Sequence, residues 1–133
     1  MRSKSVFVFL VLALTALLLA TAVVGCGGTS APAPGSGGVR EIKVEGSEFK
    51  FTPSEVTVKA GEKFKLTLTN KGTVDHTWVL LAADGKTEVA RIDVKVGGTG
   101  SKEITAPAAG TYTVDCDIAG HKEAGMIGKL IVQ

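Results

Sequence analysis

The chain has 133 residues, 44% hydrophobic and 21% charged, which bounds it to one domain of ordinary size. Its net charge of +2 comes from 15 Lys or Arg against 13 Asp or Glu, and taking away Arg2 and Lys4 leaves 13 basic residues against the 13 acidic ones, all of them from Val39 onward. Nucleic-acid binding usually needs a basic face, and with both signs interspersed over 39–133 no such face is present, so a nucleic-acid partner is excluded.

Arg2 and Lys4 precede an apolar run from Val6 to Val24, broken only by Thr15 and Thr21. A basic start, an apolar stretch and small residues at its end describe a secretory signal. The run is also long enough for a permanent membrane helix. Val23-Val24-Gly25-Cys26 favours the signal: it resembles the bacterial lipobox, in which cleavage falls just before the cysteine and that cysteine carries lipid. Val in place of the more typical Leu at the first box position is a departure. The expectation is a signal peptide over 1–25 and lipidation at Cys26. Either reading puts the domain outside the cytoplasm, in the periplasm or on the outer face of the cell membrane. Residues 27–38 run Gly-Gly-Thr-Ser-Ala-Pro-Ala-Pro-Gly-Ser-Gly-Gly, with no hydrophobic period. Gly and Ser keep such a chain flexible and the prolines locally extend it. Residues 26–38 are thus expected to be a lipid-anchored flexible linker, and 39–133 the folded domain.

Within that domain the apolar period is two. Val56 and Val58 flank Thr57 ahead of a turn at Ala60-Gly61-Glu62. Phe64, Leu66 and Leu68 alternate with Lys63, Lys65, Thr67 and Thr69, the pattern of a half-buried strand. Turn signals follow at Lys71-Gly72 and Asp84-Gly85, and Thr87–Arg91 reads as a turn, with no helical stripe anywhere. Ile92, Val94 and Val96 alternate with Asp93 and Lys95 before Gly97, Gly98 and Gly100. After a turn at Ala109-Gly110, Tyr112, Val114 and Cys116 share one face opposite Thr111, Thr113 and Asp115, and Leu130 and Val132 close the chain. Short strands at this spacing predict an all-β, antiparallel sandwich or barrel. A domain of this size buries roughly 60–65% of its unfolded surface, enough for one two-layer core.

The chain has two cysteines, Cys26 and Cys116. An exported protein could pair them, but lipid on Cys26 leaves Cys116 a lone thiol. A buried, inert Cys116 is one account of it; a bound metal is another. The folded region holds two histidines, His76 and His121, one cysteine, Cys116, and one methionine, Met126. Four residues separate Cys116 from His121 and four separate His121 from Met126, while His76 lies 40 positions before Cys116. Two imidazole nitrogens and a thiolate in one plane, with a weak axial thioether, make a type-1 copper site. The thiolate supplies covalent electronic coupling, the imidazoles suit both copper oxidation states, and the soft thioether favours Cu(I). Zinc sites prefer Cys, His and carboxylate to Met. Cys116 ends a strand, His121 and Met126 occupy the next loop, and Gly120, Gly125 and Gly128 allow it a tight backbone. Taken singly, His76 would be a satisfied strand residue and Met126 core filler; together, at this spacing, they point to metal.

Gly110-Thr111-Tyr112 through Cys116, then Gly120-His121, Gly125-Met126 and Gly128, with a strand His about 40 residues earlier, resembles the cupredoxins, in the group of plastocyanin, auracyanin and halocyanin. The likeness covers 39–133, and the four-residue gaps around His121 look most like auracyanin. It implies a Greek-key sandwich, one copper held by His76, Cys116, His121 and Met126, and single-electron shuttling between transient redox partners such as membrane complexes or cytochromes, by a monomer. Many members carry Asn after the first ligand His, tying the two ligand loops; here it is Thr77. Many carry Ser or Thr after the Cys; here it is Asp117, whose carboxylate would lower the potential unless it points to solvent. Tyr112 is expected as a corner tyrosine, Trp78 as core, and one ring edge of His121 at the surface amid Ile118, Ala119, Gly120, Ala124 and Ile127.

Three other functions compete. A copper enzyme needs further His ligands for a second centre, or a second loop Cys, and neither is present, so the domain is not expected to be an enzyme. A copper carrier or storage protein would use the same site, although carriers favour open Met- or Cys-rich sites. A metal-free binding sandwich is the third.

Overall fold

The protein is described by a computed structural model over residues 38–133. The apolar run, Cys26 and the linker up to residue 37 lie outside the described residues. Among the described residues every regular element is a strand, and no helix is long and apolar enough to cross a membrane. The strands are β1 (Arg40–Ser47), β2 (Lys50–Thr52), β3 (Glu55–Val58), β4 (Lys63–Asn70), β5 (His76–Leu81), β6 (Glu88–Val94), β7 (Thr99–Thr105), β8 (Gly110–Asp115) and β9 (Ile127–Val132). They form two sheets, ordered β2-β1-β4-β7 and β3-β9-β8-β5-β6. The chain changes sheet repeatedly, as a Greek-key sandwich requires.

Alternation explains the layers. Inward residues of β4 (Phe64, Leu66, Leu68) meet those of β8 and β9 (Val114, Leu130) in a single core that includes Val44, Trp78, Leu80 and Ile92. Trp78 is buried, and the Tyr112 hydroxyl donates to the Ala108 carbonyl at 2.7 Å, closing the corner expected of it. The β5 strand is buried along its whole length, between β8 and β6.

Two features differ from the sequence reading. Pairing is not wholly antiparallel: β1 runs parallel to β4 (Arg40 opposite Phe64) and β3 parallel to β9 (Glu55 opposite Lys129). A period of two fixes which face a residue takes, not the direction of the neighbouring strand. The turn read at Thr87–Arg91 lies earlier, and β6 already begins at Glu88. Asp84 draws it there, its Oδ1 accepting the backbone N–H groups of Lys86 and Thr87 at 2.9 and 2.8 Å, with Gly85 at φ +66°.

Candidate metal centre

The four expected residues converge at one end of the sandwich. His76 opens β5, Cys116 follows β8, and the β8–β9 loop carries His121 and Met126. Because β5 and β8 are neighbours, with Val79 opposite Asp115, the two ligand segments lie side by side. The ligand atoms of His76, Cys116 and His121 all fall within 4.8 Å of one another. Cys116 Sγ is 3.4 Å from His121 Nδ1, and the two imidazoles are 5.1 Å apart, tilted by 59°. Met126 adjoins them. A Cβ built on Gly46 would lie 3.5 Å from the Met126 methyl and 3.6 Å from His76 Cβ and Cδ2, so both side chains close on that one spot of β1. His76, Cys116 and Met126 are fully buried, and His121 is 7% exposed.

Local hydrogen bonds shape the loop. His121 N–H donates to Ile118, Ala124 N–H to Gly120, and Met126 N–H to His121, each at 3.0 Å. The Cys116 N–H then reaches the Met126 carbonyl at 3.2 Å, closing the loop between two of the expected ligands. Gly120 (φ +84°) and Gly125 (φ +100°) occupy left-handed backbone that other residues adopt only with strain.

The ring nitrogens of His76 are both buried without a hydrogen-bond partner. Burial pushes its pKa down, so the ring is held neutral and able to donate a lone pair. Buried polar atoms are rarely left orphaned; two on one ring, beside a buried thiol and a second imidazole, fit a metal that takes up the lone pair. Nε2 backs onto Gly72, where a Cβ would approach it to 2.8 Å. This loop is set by Asn70, buried in the line of Phe64, Leu66 and Leu68. Its Nδ2 donates to the Val74 carbonyl at 2.7 Å and its Oδ1 accepts the Gly72 N–H at 2.8 Å. Sequence reasoning passed over Asn70, although a polar residue continuing an inward apolar alternation was its signal. Glu48, also missed, accepts the Thr73 N–H and hydroxyl, and the backbone N–H holds its carboxyl at about 2. No feature of the sequence pointed to it.

Ion pairs flank Cys116 on both sides. Asp115 is buried against Lys122 Nζ at 2.5 Å. Asp117 takes Arg91 through both oxygens, at 2.6 and 3.0 Å, and the Thr77 hydroxyl at 2.8 Å. The Arg91 guanidinium first, and the Thr77 hydroxyl after it, outweigh the opposing push of burial and leave the Asp117 carboxyl below its ordinary value. The tie between ligand segments is thus made by Thr77 and Asp117, and the Asp117 charge is countered as well as partly exposed. Thr77 N–H also points at Cys116 Sγ, 3.4 Å away. The His121 ring presents less edge than expected, because Phe49 stands edge-on to it at 5.1 Å and is itself 41% exposed. In the segment that carries His121, Ala119, Gly120, Ala124 and Ile127 are exposed and Ile118 is half-buried.

A model of the cupredoxin-like domain family matches residues 8–132. Auracyanin-A of Chloroflexus aurantiacus is 32% identical, covering 90% of this chain and 92% of that protein. The solved structure of auracyanin A, described as a "blue" copper protein, superposes with TM-score 0.63 at 29% identity, over 72% of this chain and 100% of that one. The copper-resistant cuproprotein CopI of Rubrivivax gelatinosus is 31% identical, covering 71% of this chain and 67% of that protein. A mutant fern plastocyanin, solved oxidised and reduced, superposes with TM-score 0.52 at 31% identity, over 69% of this chain and 100% of that one.

Proposed function

The chain belongs to the cupredoxin-like domain family, and on that premise we propose that it is a type-1 copper protein carrying single electrons between redox partners outside the cytoplasm. The observation that carries this reading is the buried convergence of His76, Cys116 and His121, with both nitrogens of His76 unpartnered. His76 and His121 would supply imidazole nitrogen, Cys116 the thiolate and Met126 a thioether to copper, which would supply a one-electron Cu(I)/Cu(II) couple. The protein's part is rigidity and exclusion of water. Cys116 and Met126 are pinned to each other through the backbone, β8 and β9 fix both loop ends, and burial keeps solvent off the thiolate. Electrons would enter at the His121 end, through the patch of Phe49, Ala119, Ala124 and Ile127, where transient partners such as membrane complexes or cytochromes dock on a monomer. Lipid on Cys26 would tether the domain to the membrane.

Adding Cu(II) to the purified protein should produce a strong visible thiolate-to-copper band and a narrow-hyperfine EPR signal, both lost in Cys116→Ser. A band that survives Cys116→Ser sinks the assignment. Likeness to a copper-resistant cuproprotein favours a second reading, copper carriage through the same site. A carrier would surrender its copper to a competing chelator within minutes; an electron carrier with a buried site would retain it through repeated oxidation and reduction.

A further inference from the structure

Beside Cys116 is a hydroxyl with one proton and two acceptors within reach. Thr77 Oγ1 lies 2.8 Å from Asp117 Oδ1 and 3.5 Å from Cys116 Sγ, and it accepts the Asp117 N–H at 3.0 Å. A threonine hydroxyl has a single proton to donate. The carboxylate oxygen is nearer and charged, and such bonds are roughly twice as strong as neutral ones; sulfur is a weak acceptor. The proton therefore goes to Asp117, and of the two Thr77 donors the sulfur keeps the N–H alone. Arg91 holds the carboxylate in place through both of its oxygens, and is itself steadied by Asp93 at 2.9 Å.

Resting on the copper reading, we propose that Asp117, held by Arg91, is a positioning residue that withholds the Thr77 proton from the Cys116 thiolate and thereby keeps the reduction potential low. A hydrogen bond to the thiolate draws electron density off sulfur, weakens its donation to Cu(II) and favours Cu(I); bonding around this sulfur is one of the levers on such potentials. Removing the carboxylate alone would also remove a negative charge, which raises the potential by itself. Removing Arg91 and Asp117 together leaves the local charge unchanged and frees the hydroxyl to turn.

The test uses the full chain loaded with copper, in the Arg91→Gln/Asp117→Ala double variant. Its redox equilibrium with a reference couple should move at least threefold toward the reduced form, about 28 mV at 59 mV per tenfold for one electron. The thiolate-to-copper band should shift to higher energy. Adding Thr77→Ser, which keeps a hydroxyl, should preserve both shifts; adding Thr77→Val should bring both back to the wild-type values. Three results overturn the inference while leaving the copper centre standing: a double variant with its band and potential unchanged, a shift that persists with Thr77→Val, or loss of the band in the double variant alone, which would make the pair an element of the fold. A wild-type protein with no band overturns the copper reading, and this inference with it.

Discussion

Asn70→Ala removes a side chain that sequence reading passed over, and its cost can be worked from contacts. Two short hydrogen bonds are lost, to the Val74 carbonyl at 2.7 Å and from the Gly72 N–H at 2.8 Å, with a longer one to the buried Val94 carbonyl at 3.4 Å. At about 1 kcal/mol net for each short bond, the pair contributes about 2 kcal/mol. Gly72 is half-buried and Val74 exposed, so water can take up much of what is freed there. Val94 is buried, and stranding its carbonyl adds up to about 1 kcal/mol. The total of about 2–3 kcal/mol lowers the melting midpoint by at least about 8 °C for a domain this small. Asn70→Asp should be worse than Ala at neutral pH, because it keeps the acceptor for Gly72 but turns a charge toward two carbonyl oxygens. Urea unfolding of the metal-free protein, with a shared slope, measures both. The loop also seats Gly72 against His76 Nε2, so copper should dissociate faster from the Ala variant. A loss under about 0.5 kcal/mol, or an Asp variant more stable than Ala, would refute this reasoning.

Met126→Gln should keep copper and lower the potential, since a harder oxygen donor stabilises Cu(II); voltammetry should show a drop of about 59 mV for each tenfold preference, and a rise would contradict the axial role. Ala119→Asp should leave the absorption spectrum alone and slow self-exchange, measured by NMR, by roughly fivefold, the effect of about 1 kcal/mol of like-charge contact between two copies. Asp84 is held below its ordinary carboxyl value by the Thr87 hydroxyl and by backbone N–H groups. A depressed pKa gives stability that is present above the unfolded value of about 3.9 and lost as pH falls through the folded one. Asp84→Ala should therefore melt below wild type at neutral pH, with the gap closing as pH falls below about 4; a gap unchanged at low pH rules the linkage out. Cys26→Ser should release the domain from membranes or block its processing, and a wild-type protein already soluble, with an N-terminus beyond Cys26, would dismiss the tether.

The strands were legible because one face of each meets the core, so Phe64, Leu66 and Leu68 or Tyr112, Val114 and Cys116 declare themselves by alternation. Strand direction was not, since Arg40 pairing with Phe64 rather than its reverse leaves no mark on either strand's pattern. The centre was legible through scarcity: the folded region has two His, one Cys and one Met, and their spacing selects one chemistry. Its surroundings were not. Thr77, Arg91 and Asp117 lie 14 to 40 positions apart, and they meet only because β6 and β8 both flank β5. The Phe49 ring against His121 depends likewise on where the β1–β2 turn falls relative to a loop some 70 residues later.

The placement of β9 bears on how such a chain matures. This strand pairs with β8 on one side and with β3 on the other, and Glu55 waits 74 positions for Lys129. Contacts of such separation form late, because the loop must close before the pairing rewards it. Until β9 docks, β3 has no neighbour in its sheet and the segment from Cys116 to Met126 is anchored at one end. In a chain that has not yet paired β9, Cys116 lacks the cover that buries it in the finished fold. The six residues from Ile127 to Val132 fix the far end of the Cys116–Met126 segment, so the full set of donors depends on β9 being paired on both sides.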